Sequence, residues 1–161
     1  VSATVANRTE RNLSLATPAA PVRRGDADEG RECVVPIEAD TDIVKARKQG
    51  RAMGAELGFE AGDLAMIATA ISELARNIVS YAGRGEIVVR VLHHQGRQGI
   101  LLIGRDEGPG IADLSLAMRD GYSTSGGLGL GLPGVRRLMD EFHIESTPGK
   151  GTSVTLWKWK R

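Results

Sequence analysis

One cysteine, Cys33, is all the chain carries, so no internal disulfide can form and a reducing compartment is the expected setting. Histidine is nearly as scarce. Three His and one Cys at no zinc-like spacing exclude a His/Cys zinc centre. Aromatic residues make up only 4%. No apolar run approaches the roughly 20 residues that span a bilayer, and the first residues lack a secretory pattern, so a cytoplasmic protein is expected. Charge of either sign is not in excess: 21 Lys and Arg against 20 Asp and Glu leave a net +1. That balance argues against broad electrostatic binding of nucleic acid or an anionic membrane. What remains, 161 residues with 41% hydrophobic and 25% charged side chains, is the composition of one globular domain. The abundant residue is glycine. Of 21, nine fall between Gly104 and Gly134.

Residues 1–30 combine small residues, two prolines and mixed charge with no sustained period, and are expected to form a flexible extension, with a single domain over 31–161. From there the pattern is regular. Residues 33–39 predict a short strand, with Pro36 favouring an edge. Asp40 or Thr41 is placed to cap a helix that runs to about Leu57 and is ended by Gly58. Asp63 opens a second helix. Its residues Leu64, Ile67, Ala68, Ile71, Leu74, Ala75 and Ile78 make one apolar stripe, and it is expected to stop near Tyr81. Residues 86–94 and 99–106 predict a hairpin. A helix is expected over 132–142, then strands over 143–147 and 152–160 around the turn 148–151. Hairpin-joined strands with about three helices point to a two-layer α/β sandwich, its sheet mixed but mostly antiparallel and covered on one face.

Four clusters carry chemistry. On the second helix Glu73 and Asn77 are four apart and share a face, which spacing places away from the apolar stripe. A carboxylate beside an amide oxygen can take a proton and help to hold a hard cation; the pair also reads as a solvated polar face, with Arg76 on another side of the helix. At the end of a strand comes Asp106-Glu107-Gly108-Pro109-Gly110, where backbone can approach a flat ligand closely, or simply turn. Gly126-Gly127-Leu128-Gly129-Leu130-Gly131 runs into a helix, so its N–H groups and the helix dipole can face a phosphate. It is neither a Walker A loop nor a Rossmann fingerprint. Last is the turn Gly149-Lys150-Gly151-Thr152.

In order and spacing these four clusters resemble the GHKL ATPase superfamily over about residues 33–160. Glu73 and Asn77 match its N box. Asp106, Gly108 and Gly110 match the first glycine box, Gly127, Gly129 and Gly131 the second, and Gly149, Gly151 and Thr152 the third. Within the superfamily the runs ISELARNIVSYAGRGEI and DEGPGIADLSLAMRDGYSTSGGLGLGLPGVRRLMDEF, with the terminal KWKR, resemble the RsbT-type switch kinases of bacterial stress-response complexes, the stressosomes.

The resemblance implies the GHKL (Bergerat) ATP-binding fold and a serine/threonine-protein kinase that uses ATP and Mg²⁺. It implies that Glu73 is the general base, that Asn77 ligates Mg²⁺, and that Asp106 accepts the adenine amino group and selects ATP over GTP. Gly108 and Gly110 would let backbone pack on the base. Gly126, Gly127, Leu128, Gly129, Leu130 and Gly131 would cradle phosphates, and Thr152 would add a polar contact. Residues 111–125 would be a lid. Implied partners are STAS-domain proteins, the antagonist and the sensor-scaffold, and a downstream phosphatase or other effector switched on after release. The alternative is an anti-sigma-factor kinase of the RsbW/SpoIIAB kind, which binds a sigma factor directly. Outside these clusters, His93 and His94 are expected to be solvated, and Trp157 and Trp159 to share a packed strand face.

Overall fold

The computed structural model describes residues 3–6, 28–120 and 130–161. Its strands are β1 (Ala3–Ala6), β2 (Asp28–Ile37), β3 (Gly85–His94), β4 (Arg97–Asp106), β5 (Glu141–Thr147) and β6 (Gly151–Trp159). Its helices are α1 (Asp40–Glu56), α2 (Ala61–Asn77), the single turn α3 (Leu114–Ala117) and α4 (Gly131–Leu138). The six strands form one sheet in the order β1-β5-β6-β4-β3-β2, and every pairing is antiparallel. The predicted architecture therefore holds, without a parallel pair. β2 lies at an edge, where Pro36 is tolerated. The boundary expected at residue 31 falls inside β2, and β1 adds a strand beyond β5.

The helices cover one face. Ile37, Ile71, Ile87, Ile100, Leu102, Ile144 and Leu156 are fully buried between the layers. The other face carries a smaller cluster of Leu92, Leu101, Trp157 and Trp159. Trp157 and Trp159 thus pack, as expected; the Trp159 indole N–H donates to Glu141 (2.7 Å). His93 is exposed, whereas His94 is half-buried with its ring 6.3 Å from that of Trp159.

Two local expectations need correction, at the two ends of the helical set, and the expected end of the second helix near Tyr81 holds with a change of helix type. Neither Asp40 nor Thr41 caps α1; both lie inside it. Asp42 does so from the third helical position, accepting from the Glu38 and Ala39 N–H groups (3.0 and 3.1 Å). Its bond from Lys45, then those N–H groups, hold its carboxyl below the usual value. Next, α2 ends at Asn77 and a π-helical turn, Ile78–Ala82, completes the segment, closed by Gly83 N–H on the Ile78 carbonyl (2.9 Å). Finally, α4 ends at Leu138 rather than at residue 142. Phe142, Ile144 and Ser146 point inward at a spacing of two, and Asp140 N–H already bonds the Trp157 carbonyl (2.9 Å), so pairing with β6 wins.

Among the described residues no helix is long and apolar enough to cross a membrane.

Candidate nucleotide site

Three strand ends meet at one end of the sheet. Asp106, the last residue of β4, pairs with Gly85 at the start of β3 and with Thr152 at the start of β6. The first and third glycine clusters are therefore neighbours by register. Asp106 Oδ1 accepts the Gly108 N–H (2.9 Å), an Asx turn that fixes the carboxylate at the strand end. Gly108 lies against Ala82, at the end of the π turn after α2. Gly149 N–H donates to the Pro109 carbonyl (2.8 Å), joining the two turns directly.

Two glycines here are structural necessities. Gly110 has φ +73° and a side chain would run into the Thr147 carbonyl. Gly151 has φ +116° and a side chain would run into the Asp106 carbonyl. Backbone is thus packed on backbone beside Asp106, leaving room for nothing larger than hydrogen. The close approach expected between Gly110 and a ligand is made here by the fold's own chain.

Thr152 belongs to a small polar network. Its hydroxyl pairs with that of Ser146 (2.8 Å); Ser146 also accepts from Ile111 N–H (2.8 Å) and donates to the Gly151 carbonyl (3.1 Å). Ser146, 3% exposed, was not a sequence candidate. Its signal was available: a polar residue on the inward period of β5. Ile111, Leu114, Ala117 and Met118 pack on the core, so the first half of the expected lid is anchored. Asp113 caps its single helical turn by accepting from Leu116 N–H (2.9 Å), which holds the Asp113 carboxyl below its usual value.

Glu73 departs most from expectation. It is 7% exposed rather than on a solvated face, because α2 is buried almost all round where α4 packs on it. Oε1 accepts from Arg76 (2.6 Å), and Oε2 faces the Gly131 N–H at the mouth of α4 (3.4 Å). Arg76, assigned by spacing to another side of the helix, is thus its direct partner; three residues apart is one helical turn, which is the signal that could have found it. Asn77 is half-buried at the end of α2. Leu130, exposed, precedes α4 and Gly131 opens it. Gly126, Gly127, Leu128 and Gly129 lie outside the described residues.

The structure thus gathers the N-terminus of α4, the C-terminal end of α2 and the turns after β4 and β5. Such a place offers N–H donors, a helix dipole of the right sign for phosphate and one buried carboxylate.

Comparison with known proteins identifies the family. Residues 62–161 match the family described as histidine kinase-, DNA gyrase B-, and HSP90-like ATPase. The chain is 54% identical over 127 residues to the serine/threonine-protein kinase RsbT of Bacillus subtilis, covering 79% of this chain and 96% of that one. It is 35% identical over 120 residues to the anti-sigma F factor of Caldanaerobacter subterraneus subsp. tengcongensis, covering 71% and 82%. A solved structure of the RsbU and RsbW domains of a Mycobacterium tuberculosis protein aligns with a TM-score of 0.55 at 24% identity, over 81% of this chain and 33% of that one, a likeness of fold.

Proposed function

The chain belongs to the histidine kinase-, DNA gyrase B- and HSP90-like ATPase family and is a serine/threonine-protein kinase of the RsbT type, and from that premise we propose that it passes the γ-phosphate of ATP to STAS-domain partners of a stress-signalling complex. One observation carries the proposal: Glu73, buried, is held by Arg76 on one oxygen and presents the other to the mouth of α4. In this reading Oε2 of Glu73 takes the proton of a serine or threonine hydroxyl as its oxygen bonds the γ-phosphorus, and the bond from that phosphorus to the β–γ bridging oxygen breaks to leave ADP. Arg76 offsets the carboxylate's charge next to the phosphates.

The remaining residues bind and orient. Gly131 and the glycines before it offer N–H groups to the phosphates. Asp106, fixed by its Asx turn, accepts from the adenine amino group, and Thr152 with Ser146 supplies the adjacent polar contact. The donor set suits magnesium. Asn77 offers one neutral oxygen a helical turn from Glu73, and among the described residues no three His, Cys, Asp or Glu gather into a cage. An ion here would draw most of its ligands from phosphate and water, as Mg²⁺ does. Bound, it would neutralise phosphate charge.

Nucleotide choice follows from Asp106. Guanine presents a carbonyl where adenine presents its amino group, so ATP is expected to bind far more tightly than GTP. Asp106→Asn keeps an acceptor for Gly108 N–H yet sets an amide against the base. ATP affinity should fall by about 1–3 kcal/mol, the usual cost of an unmatched buried polar group. Calorimetry checks both, and equal affinities of the unaltered protein for ATP and GTP would remove Asp106 from base recognition.

Partner choice is tested by complex formation. Release of the kinase after phosphate transfer is proposed to switch on a downstream phosphatase or other effector. The purified protein should bind a STAS-domain partner and leave it phosphorylated, and should not retain a sigma factor. Stable capture of a sigma factor would favour the anti-sigma role carried by the relatives at about a third identity.

A further inference from the structure

We propose that Lys158 is a positioning residue for phosphate binding: buried far from the nucleotide, it pins the C-terminal end of α4 to the start of α2 and so sets where Gly131, at the other end of α4, stands relative to Glu73. The proposal rests on the reading of Glu73 and Gly131 as the phosphate mouth.

Lys158 continues the inward period of β6 after Val154 and Leu156, and is 4% exposed. An ammonium in such a place is costly unless it is paired, and a methionine would fill the same volume without charge. Its partners come from separate elements. Nζ lies 3.4 Å from Asp63 in the first turn of α2 and 3.7 Å from Asp140 in the link from α4 to β5, and donates to the carbonyl of Leu138, the last residue of α4 (3.3 Å). That carbonyl has no partner within its own helix, and a cation suits the negative end of the helix dipole. Asp140 is itself held to β6: its other oxygen accepts Trp159 N–H (2.7 Å) and its own N–H donates to the Trp157 carbonyl.

α4 has eight residues and is about 12 Å long. Its two ends meet α2 in reverse order: the Leu138 end is attached through Lys158 to Asp63, and the Gly131 end to Glu73. A helix this short moves as a rod. Freed at the Lys158 end, it can slide along α2 and carry Gly131 away from Glu73. The adenine side, built from β4, β6 and the turn at Gly108, does not involve α4.

The test is calorimetry on the full chain with Mg·ATP and with adenosine. In the unaltered protein the two must compete; if they do not, the nucleotide site has been misplaced, whatever Lys158 does. Lys158→Met alone leaves Asp63 without its cation and Asp140 with only the more distant Arg161 (3.9 Å), and is expected to lower the melting temperature. The triple variant Asp63→Asn, Lys158→Met, Asp140→Asn removes the stranded charges and keeps an acceptor for Trp159 N–H. With Asp63 no longer left charged and alone, it is expected to regain melting temperature while Mg·ATP still binds at least tenfold more weakly and adenosine binds within twofold of the unaltered protein. The triple variant loses one cation and two anions, so its altered charge works against the predicted loss for ATP. A triple variant that binds Mg·ATP within threefold of the unaltered protein would overturn the proposal, as would a parallel loss of adenosine and ATP.

Discussion

Glu73→Gln should slow phosphate transfer by about 10²–10⁴-fold, the range lost when a general base is removed, while ATP and the STAS partner still bind. The side chain keeps its shape, and its amide oxygen can still accept from Gly131 N–H or Arg76. What is lost is the basic carboxylate beside the hydroxyl. Nor should ATP affinity suffer, since a negative group near the γ-phosphate opposes its binding. A kinase that binds but does not transfer stays sequestered by its partner, so the downstream effector remains inactive under stimulus. Labelled transfer to the purified partner, beside a pull-down with the same variant, separates the cases. A rate near that of the unaltered protein would remove Glu73 from the mechanism. Loss of both binding and transfer would make Glu73 a structural residue of the α2–α4 contact.

Gly151→Ala should be the most damaging single methyl in the molecule. The residue sits at φ +116°, where a side chain costs about 1–3 kcal/mol in backbone strain alone. The added carbon also meets the Asp106 carbonyl, and backbone cannot step aside as a side chain tip can. β6 must withdraw from β4 at the Asp106 and Thr152 pair, which is the pair proposed to face adenine. The expected loss is about 3 kcal/mol or more, which in a domain of this size lowers the melting point by roughly 6–12 °C, together with most of the ATP affinity. Thermal unfolding and ATP titration check it. An unchanged melting point with full ATP affinity would contradict the close packing of the two glycine turns.

Much of this was legible from the residues. The apolar stripe of α2 gave the helix, and the two apolar runs on either side of the polar turn at Gln95 and Gly96 gave the hairpin. The four clusters pointed to the family because their order along the chain is distinctive even where each is weak. Burial was harder to read. Glu73 appeared polar and solvated because spacing on one helix knows nothing of a second helix packed against it. Arg76 and Ser146 were hidden differently: each is ordinary in sequence and acquires its role from a partner brought by the fold, Glu73 one turn away and Thr152 across a strand pair. The end of α4 was misjudged because helix and strand compete for Glu141 and Phe142, and pairing with β6 decides between them. The edge strand β1 has four residues, too short for a period to declare itself.

The most direct test of the central claim is the chemistry of the transferred phosphate. The protein is incubated with γ-labelled ATP, Mg²⁺ and a purified STAS-domain partner, and the labelled partner is treated with acid and with alkali. Label on the partner that survives acid and is released by alkali, as expected for phosphoserine or phosphothreonine, and that disappears with Glu73→Gln, is the predicted result. Label that acid removes, as from phosphohistidine, or label found only as free phosphate, would contradict it.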